Sequence, residues 1–352
     1  MSVTSAQGKP GTAAGLADYR GAEVAANFGD SRAELRALLL NCGIFDMAWQ
    51  AKVVLTGEDR VRWLNGMVTN NIRDLAPGRC VYSFLLSAQG RIQGEMVAYN
   101  RGDHLLITTD RQQAPLIAAT FDRYIIMDDV EVSDVSDKLG AIGVAGPTAG
   151  EVLGAPAFDV GQLAKGQVTD LVWQDIGVSV ARSSRPQLDG YEIWFATENK
   201  GRIWSALLSA GAAAAGSEAI EQLRILRGLP RYGVDLRERD LPQETEQLDA
   251  LNFAKGCYIG QEIVERIRAR GNVHRTFIGF EVQGNPPAAG TRVRAGDKEC
   301  GEITSSGRIL LTEGDRVLAL GYLRREAAIP GSTVQVGESS ATVRPLPFPF
   351  EH

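Results

Sequence analysis

The C-terminal part of the sequence, from residue 276 to 346, most limits what this chain can fold into. It contains short β-type segments separated by Gly- and Pro-containing turns, and no long helical pattern interrupts them. Short strands at close spacing with turn signals between them are typical of a small all-β unit. We therefore predict a small C-terminal β-barrel with strands at Phe277–Val282, Thr291–Val293, Glu302–Thr304, Val317–Leu320, Thr333–Val336 and Ala341–Val343.

Upstream of residue 276 the sequence mixes helical and strand patterns. The 352 residues exceed a single compact core, so two or three domains are expected. Helical spacing is clear at 217–228, where Ile220, Leu223 and Leu226 form one apolar face. Gly146-Pro147 interrupts the chain between mixed regions. Residues 1–30 are rich in Ala, Gly and Ser without a compact apolar stretch, so we expect a flexible tail there.

Cysteine and histidine usage argues against a metal site built by the protein. The four cysteines are widely spaced without a C-x-x-C pair, and the chain has only three histidines. This pattern supports no disulfide framework either, so the cytoplasm is the simplest compartment. The net charge of −6 argues against a nucleic-acid partner. No apolar run reaches the ~18 residues of a transmembrane helix, so we expect no membrane partner.

The segment from Asn252 to Glu262 is the strongest candidate for chemistry. It holds Lys255, Cys257 and two glycines in a window too polar for a core, and an amphipathic helix pattern follows it. A lysine and a helix N-terminus both favour the thiolate form of a nearby cysteine, because each places positive charge beside it. Cys257 is therefore either a reactive thiol or a buried structural cysteine, and the residues alone leave both possibilities open.

Several arginines follow this segment, namely Arg266, Arg268, Arg270 and Arg275. They form either a solvated helix face or a clamp for carboxylates or phosphates, which the planar guanidinium group suits. The sequence contains no G-x-x-x-x-G-K-[ST] loop, and no G-x-G-x-x-G turn lies between a strand and a helix. ATP and NAD are therefore poorly supported as ligands.

The cysteine segment also carries a resemblance to a known family. Lys255-Gly256-Cys257-Tyr258-Ile259-Gly260-Gln261-Glu262, followed by Arg270-Gly271-Asn272-Val273-His274-Arg275, resembles the signature of the YgfZ-type folate-binding proteins. These belong to the superfamily of the glycine-cleavage T-protein, the aminomethyltransferase. Further blocks follow the family's order from about residue 35 to 346, including Trp63-Leu64-Asn65-Gly66-Met67, Asp189-Gly190-Tyr191-Glu192-Ile193 and Leu223-Arg224-Ile225-Leu226-Arg227.

The resemblance implies an α+β fold in the form of a three-domain cloverleaf around a central folate channel. It would comprise two mixed antiparallel-sheet-plus-helix domains at 31–145 and 146–275 and the small β-barrel at 276–352, after the tail at 1–30. The implied ligand is tetrahydrofolate or a derivative. The residues expected to bind it are Arg224, Glu95, Glu192, Gln261, Arg270 and Arg275. For Arg224 the alternative is a surface arginine paired with Glu221 or Asp249.

One position departs from the T-protein branch of the superfamily. In that branch a catalytic aspartate assists attack by a folate nitrogen, and the matching positions here are Gln93 and Gly94, with Glu95 next. An amide cannot take a proton in that role. Glu95 lies on the same strand face as Gln93 but ~6.6 Å further along, which suits pterin binding better than the same chemistry.

This departure and the Lys-Gly-Cys arrangement favour the iron–sulfur-linked branch. We hypothesise a cytoplasmic tetrahydrofolate-binding protein that supports assembly or repair of iron–sulfur clusters, chiefly four-iron ones, and thereby tRNA modification. Cys257 would be the reactive thiol and Lys255 would hold its thiolate. One cysteine cannot hold a cluster in the usual four-thiolate manner, so a cluster would be transient or shared with a client or assembly protein. The alternatives are a folate-dependent aminomethyltransferase or demethylase, and a folate-binding regulator with an inert cysteine.

Overall fold

The computed structural model describes residues 13–155, 158, 160, 163–185, 189–271 and 273–350. In this part of the chain the helices are α1 (Ser31–Leu40), α2 (Arg60–Met67), α3 (Ala114–Tyr124), α4 (Ala149–Gly154), α5 (Lys200–Ser209), α6 (Ser217–Leu226) and α7 (Gln261–Arg270). The strands are β1 (Leu16–Tyr19), β2 (Ala22–Ala25), β3 (Gly43–Asp46), β4 (Gln50–Thr56), β5 (Arg79–Leu86), β6 (Ile92–Asn100), β7 (Leu105–Asp110), β8 (Glu131–Asp134), β9 (Leu139–Ala145), β10 (Val168–Trp173), β11 (Ile176–Arg182), β12 (Gly190–Ala196), β13 (Ala213–Ala214), β14 (Arg275–Val282), β15 (Arg292–Ala295), β16 (Lys298–Leu311), β17 (Gly314–Arg324), β18 (Thr333–Val336) and β19 (Ser339–Arg344).

The described part of the N-terminal segment is an ordered hairpin, which corrects the expectation of a flexible tail at 1–30. Strands β1 and β2 pair in antiparallel register. Tyr19 and Val24 are buried in the same core as Trp49, and the Tyr19 ring meets the Trp49 ring edge-on with centroids 5.0 Å apart. An aromatic side chain buried in this way holds the hairpin on the body of the protein. Residues 1–12 lie outside the described range.

A five-stranded antiparallel sheet forms the first large element, in the order β5-β6-β7-β4-β8. Helices α2 and α3 contribute Trp63, Leu64, Ile117 and Phe121 to its core. The rings of Trp63 and Phe121 meet edge-on, with centroids 5.0 Å apart. These helices thus bury the alternate apolar side chains of the strands, as a sheet covered by helices on one face requires.

A six-stranded sheet follows, in the order β10-β11-β12-β9-β3-β13. Its strands pair antiparallel except for β13, which runs parallel to β3. Helices α4 and α5 pack on it. Strands β3 and β9 both precede residue 146, so the sheets do not follow the predicted division between 145 and 146. Ile44 on β3 and Ile142 on β9 belong to the core of this second sheet.

The C-terminal strands close into a six-stranded barrel in the order β14-β17-β16-β15-β18-β19, which confirms the predicted barrel. Strand β16 extends to Leu311, well beyond the predicted Glu302–Thr304 segment, because Ser306 to Leu311 continue to pair with β17. Alternating residues such as Phe280 and Ile303 fill the barrel interior. The fold is therefore a mixed α and β architecture with a closed C-terminal barrel.

Helix α6 joins the barrel to the rest of the molecule. Its Leu223 and Leu226 share one buried cluster with Leu318 and Leu320 of the barrel. The same cluster contains Tyr19 of the hairpin. The sequence pattern predicted this helix, and α6 ends at Leu226 with Gly228 just beyond in the left-handed conformation.

The cysteine segment, residues 252–262, leads into α7, and Gly260 determines the backbone conformation just before that helix. Gly260 has φ +83°, and a Cβ there would come 2.6 Å from the carbonyl oxygen of Ser87. Tyr258 and Val264 pack in one cluster with Phe84 and Leu86 of β5. The segment thus lies on the turn between β5 and β6, a close approach that only glycine permits.

Within the described residues, no helix is long and apolar enough to cross a membrane.

Candidate functional site

A cavity lies between the five-stranded sheet, the six-stranded sheet, the β1–β2 hairpin and α6. It holds about 1200 Å3 of empty space, its open mouth included. Polar and charged side chains from all four elements reach it, namely Arg20, Gln50, Tyr82, Glu95, Thr108, Thr109, Asp110, Gln113, Ser183, Ser184, Arg185, Glu192 and Arg224. A concave site lined by apolar walls and a few polar groups is typical of small-molecule binding.

Apolar and aromatic side chains form the remaining walls of this cavity. They include Phe45, Met47, Trp49, Met96, Tyr99 and Leu223. The rings of Phe45 and Trp49 stack at an interplanar angle of 6°, with centroids 6.0 Å apart. Such walls suit a flat ring system, since ring faces bury large apolar areas.

Glu95 on β6 points its carboxylate into this cavity. It is 8% exposed, and the Tyr82 hydroxyl donates a short hydrogen bond to its Oε2. The backbone N–H of Tyr232 donates to Oε1 at 3.1 Å. The Nη1 of Arg185 lies 3.9 Å from Oε2. These three groups hold one carboxylate in a fixed position facing the cavity.

Gln93 occupies the position where the T-protein branch has its catalytic aspartate, and the position of Glu95 bears on this difference. Glu95 lines the cavity, whereas Gln93 is not among the cavity-lining residues. Gly94 lies between them, and a Cβ added there would lie 3.3 Å from the Ile117 side chain on α3. A carboxylate is therefore present among the residues that line the cavity, two positions beyond Gln93.

Glu192 on β12 is the second predicted carboxylate, and it also lines the cavity. Its Oε2 accepts hydrogen bonds from Gln50 Nε2 at 2.8 Å and Trp194 Nε1 at 3.2 Å. Burial raises the pKa of Glu192, while these two donors and the charge of Lys52 oppose that rise. Glu192 thus provides a desolvated acceptor on the wall opposite the five-stranded sheet.

Several buried polar atoms on the cavity wall have no hydrogen-bond partner among the described residues. They are Arg20 Nε, Gln50 Oε1, Gln113 Nε2, Ser184 Oγ and Arg185 Nε. All five residues line the cavity. Buried polar groups are almost always paired, so these atoms mark an incompletely satisfied part of the cavity wall.

Arg224 belongs to the structural framework rather than to the free donors of the cavity. Its guanidinium group donates to Glu221, to Asp235 at 2.7 Å, to the carbonyl oxygen of Leu229 at 2.6 Å and to Ser305 Oγ at 2.8 Å. The side chain is 4% exposed. The pairing with Glu221 matches one alternative considered above, but the arginine is buried and its second acidic partner is Asp235 rather than Asp249. Every donor of Arg224 has a protein partner, and the residue still lines the cavity, so its ligand role stays a prediction.

Arg275 and Gln261 also lie away from the cavity, whose lining includes neither of them. Arg275 Nη2 donates to Asp240 Oδ1 at 2.6 Å and to Glu244 Oε2 at 3.0 Å, which ties β14 to the preceding loop. Gln261 is the first residue of α7. The predicted folate contacts of these two residues stay predictions that this cavity does not support. The Arg270 side chain lies outside the described structure.

Lys255 is buried and faces the C-terminal end of α2. Its Nζ donates to the carbonyl oxygens of Asn65 at 2.5 Å, Val68 at 2.6 Å and Asn70 at 2.8 Å. Burial, with a smaller effect from Arg73, lowers the pKa of Lys255 to about 7, while the three acceptors favour its charged form. Cys257 is exposed and carries a free thiol. The predicted Lys255–Cys257 pair has no contact among the described residues, because the lysine donors serve these carbonyls.

Two of the predicted residues, Glu95 and Glu192, line the cavity, and the sequence analysis did not name its cationic residues Arg20 and Arg185. Arg20 lies in the segment taken for a flexible tail, and Arg185 lies in a loop without a motif. Arg20 Nη1 contacts Asp110 Oδ1 at 3.2 Å. Burial lowers the pKa of Arg20, but the charges of Tyr19, Asp110, Glu221 and Glu95 outweigh it, and the pKa is raised. Only the tertiary fold brings these residues together.

Comparisons with known proteins agree with this architecture. Residues 11–255 match the sequence profile of the GCVT N-terminal domain family. An aminomethyltransferase of Rubrobacter xylanophilus is 29% identical over 338 residues, which cover 95% of this chain and 90% of that protein. An aminomethyltransferase of Geobacillus kaustophilus is 27% identical over 349 residues, covering 94% and 93% of the two chains. The crystal structure of the glycine cleavage system aminomethyltransferase T from Bartonella henselae has the same fold, with a TM-score of 0.84 at 20% identity over 95% of this chain and 94% of that chain.

Proposed function

Because the chain belongs to the GCVT N-terminal domain family, we propose that its cavity binds tetrahydrofolate and that it transfers an aminomethyl-type one-carbon unit to that folate. The observation that carries this proposal is the buried, hydrogen-bonded carboxylate of Glu95 inside the cavity. The aminomethyltransferase relatives support the same direction. This is the alternative to the iron–sulfur hypothesis, and it takes precedence because the carboxylate is present.

The cavity fits a reduced pterin by the chemistry of its walls. A pterin presents ring N–H and amino donors on one edge, which the desolvated carboxylate of Glu192 can accept. Its carbonyl and ring nitrogens are acceptors for donors such as Gln113 Nε2, which has no partner among the described residues. The aromatic walls cover the ring faces. Under this proposal the two sheets and the barrel are the three lobes of a cloverleaf around the folate channel.

Glu95 is the residue that performs the acid–base work in this proposal. Tetrahydrofolate, when bound, would supply two nucleophilic nitrogens that bond to the methylene carbon of the donor, while the amine leaves as ammonia and the carrier group leaves with a proton. Glu95 holds a carboxylate oxygen where a proton leaving such a nitrogen can be accepted. The Tyr82 hydroxyl orients the carboxylate through Oε2 and the Tyr232 N–H orients it through Oε1. The largely apolar walls lower the local polarity, which strengthens each electrostatic contact.

The test is Glu95→Gln, which keeps the shape of the side chain and removes its basicity. Loss of a general base typically costs 10²–10⁴-fold in rate, so we expect formation of 5,10-methylenetetrahydrofolate from an aminomethyl donor to fall at least about 100-fold. Tetrahydrofolate affinity, measured by calorimetry, should stay within about threefold of wild type. Gln93→Ala, on the same strand but outside the cavity, is the matched control and should keep wild-type turnover. Undiminished turnover by Glu95→Gln would sink the proposal.

A second function remains supported by one observation, the exposed thiol of Cys257. Under this reading the chain is a YgfZ-type protein of the cytoplasm. It binds tetrahydrofolate and supports iron–sulfur cluster assembly or repair in client enzymes. The thiol lies outside the cavity, so it would meet a client protein or a transient cluster at the surface. A single thiolate requires the partner to supply the remaining ligands.

Cys257→Ala separates the two functions. It should bind tetrahydrofolate and transfer the one-carbon unit as wild type does, because Cys257 does not line the cavity. If the iron–sulfur role holds, the same variant fails to restore iron–sulfur enzyme activity in a strain that lacks the protein. Full restoration by Cys257→Ala would remove the cysteine from that role.

A further inference from the structure

A buried lysine, Lys52 on β4, lies beside the cavity without lining it. The residue is 1% exposed. Side chains alternate along a strand, so Gln50, Lys52 and Val54 share one face of β4. Gln50 lines the cavity, and Val54 packs against the apolar cluster that contains Trp194 of β12. The Lys52 ammonium group thus belongs to the dry layer between the two sheets, where a charge needs a compensating partner.

The hydrogen bonds around Lys52 connect it to Glu192. Lys52 Nζ donates to the carbonyl oxygen of Gln50 at 3.0 Å. The side-chain Nε2 of the same glutamine donates to Glu192 Oε2 at 2.8 Å. Gln50 therefore links the ammonium group to the carboxylate without a direct ion pair between them.

The other acids near Lys52 already have partners of their own. The acidic side chains that favour its charged form are Glu192, Asp46 and Asp134, with Glu192 the strongest. Asp46 pairs with Lys200, and Asp134 accepts the backbone N–H and the hydroxyl of Ser136. Burial lowers the pKa of Lys52 to about 8, so the ammonium form prevails at pH 7. Among the described residues, the charge of Lys52 thus mainly compensates Glu192.

The remaining titratable groups around this pair are paired or uncharged. Arg111 also acts on Lys52, but it pairs with Asp137 at 2.9 Å. The Cys80 thiol and the Tyr99 phenol both interact with Glu192. Burial raises the pKa of Cys80 to about 12 and that of Tyr99 well above its ordinary value, so both stay neutral near pH 7. They offer no charge that could replace Lys52.

The charge state of Glu192 decides what this wall of the cavity offers to a ligand. Its Oε2 accepts from Gln50 and Trp194, whereas its Oε1 accepts no hydrogen bond from a described residue. An ionised carboxylate only accepts hydrogen bonds, and a protonated one also donates. Burial favours the protonated form of an acid. A wall that is to accept from N–H groups therefore requires a nearby cation.

We propose, resting on the proposed function, that Lys52 is a positioning residue for tetrahydrofolate, whose buried charge keeps Glu192 ionised. The carboxylate then accepts from the amino and N–H donors of the pterin without first having to lose a proton. Lys52 acts through Glu192, because it does not itself line the cavity. The pair favours ligands that present neighbouring uncharged N–H donors to this wall over ligands that present acceptors.

Calorimetry of tetrahydrofolate binding to the full chain tests this role of Lys52. Titrations at about pH 5.5–7.5, in buffers of different ionisation enthalpy, report both affinity and proton exchange. Wild type should show a nearly flat affinity and little proton exchange. In Lys52→Met the pKa of Glu192 rises further, so binding should release roughly one proton below that pKa. Affinity should then fall by up to about tenfold for each pH unit on the acid side.

Lys200→Met is the matched control for the loss of one lysine charge. Lys200 is 41% exposed, pairs with Asp46 and does not line the cavity, so this variant should bind as wild type does. The double variant Lys52→Met/Glu192→Gln should lose the proton release, which assigns the proton to Glu192. Lys52→Arg keeps the positive charge and should keep the flat profile, which maintains the test if the methionine variant melts far below wild type.

Two results would overturn the inference. One is a folded Lys52→Met protein with the affinity profile and proton exchange of wild type. The other is release of a proton by wild type itself near pH 7, since Glu192 would then be protonated in spite of Lys52. A purely structural role would lower the melting temperature of Lys52→Met without any proton release. Absence of tetrahydrofolate binding in wild type would instead remove the proposed function, and this inference with it.

Discussion

At the scale of single residues, Lys255 is where local sequence chemistry and the structure diverge most. Two positions from a cysteine, its ammonium group is the expected partner of a thiolate. The structure instead directs it to three backbone carbonyls at the end of α2. The last carbonyls of a helix lack intrahelical donors, and a lysine there also suits the negative end of the dipole. Lys255 therefore joins the cysteine segment to the five-stranded domain.

Lys255→Met should reveal this anchoring role. The change leaves the carbonyl oxygens of Asn65, Val68 and Asn70 without their charged donor, so we expect a loss of about 2–4 kcal/mol in the free energy of unfolding. Urea denaturation measures this loss, and Lys165→Met at an exposed lysine should stay within about 0.5 kcal/mol. If Lys255 instead acted on the thiol, Lys255→Met would shift the pH profile of Cys257 alkylation to higher pH and leave the free energy of unfolding unchanged.

The same scale shows what sequence could and could not reveal about the site. Glu95 and Glu192 could be predicted to lie at the cavity because each lies on a strand within a stretch that was compared with the family. Arg224 and Arg275 were assigned to the ligand because a sequence displays a cation without its partner. Their partners include Asp235 and Asp240, which are fully buried. An arginine whose acid lies on another element can be assigned only once the chain is folded.

At the scale of elements, the β1–β2 hairpin shows how composition misleads. Its Ala- and Gly-rich surroundings predicted flexibility, yet one aromatic residue decides the outcome. Tyr19 is 7% exposed, donates its hydroxyl to Glu221 at 3.0 Å and packs against Trp49. By contrast, the barrel strands were predictable because their alternation and turns are local signals. The hairpin depends on contacts of Tyr19 with residues roughly 30 and 200 positions away in the chain. Local sequence patterns carry no information about such contacts.

Tyr19→Ala tests whether the hairpin belongs to the core. Removing a buried aromatic side chain typically costs about 3–5 kcal/mol, and we expect a loss of this size in urea denaturation. Leu16→Ala on the same hairpin removes a side chain that is 64% exposed and should change stability by less than about 0.5 kcal/mol. Equal, small effects of both changes would show that the hairpin detaches at little cost.

At the scale of the whole molecule, a buried ionic network ties the lobes together. Asp235 is fully buried and accepts from Arg224 Nη1 at 2.7 Å and from Ser305 Oγ on the barrel at 2.7 Å. The Tyr322 hydroxyl donates to the Asp235 carbonyl at 2.9 Å. The six-stranded sheet has a similar effect. Its strands β3 and β9 come from the predicted first domain, and they pair in one sheet with strands β10 to β12 of the predicted second domain. Neither link leaves a local signal in the sequence.

Arg224→Met should mainly lower the free energy of unfolding of the protein and have a smaller effect on tetrahydrofolate binding. The change leaves the buried Asp235 carboxylate without its cation, a loss that typically costs about 3–5 kcal/mol. Arg202→Met removes an exposed pair with Asp175 and should cost less than about 1 kcal/mol. Unchanged stability of Arg224→Met combined with weaker tetrahydrofolate binding would show that Arg224 acts on the ligand instead.

The pH dependence of that variant provides an independent readout of the network. Burial raises the pKa of Glu221, but Arg224 first, with Arg231 and Arg20, lowers it from 4.5 to about 2 overall. An acid whose pKa is lower in the folded state adds stability above its unfolded value, and this stability is lost as the pH falls through the folded value. Wild type should therefore lose stability between pH 4.5 and 2. Arg224→Met should show a flatter dependence over the same range, because the pKa of Glu221 returns toward its ordinary value when its main cation is gone. Parallel acid-denaturation curves for the two proteins would mean that Arg224 does not hold Glu221 ionised.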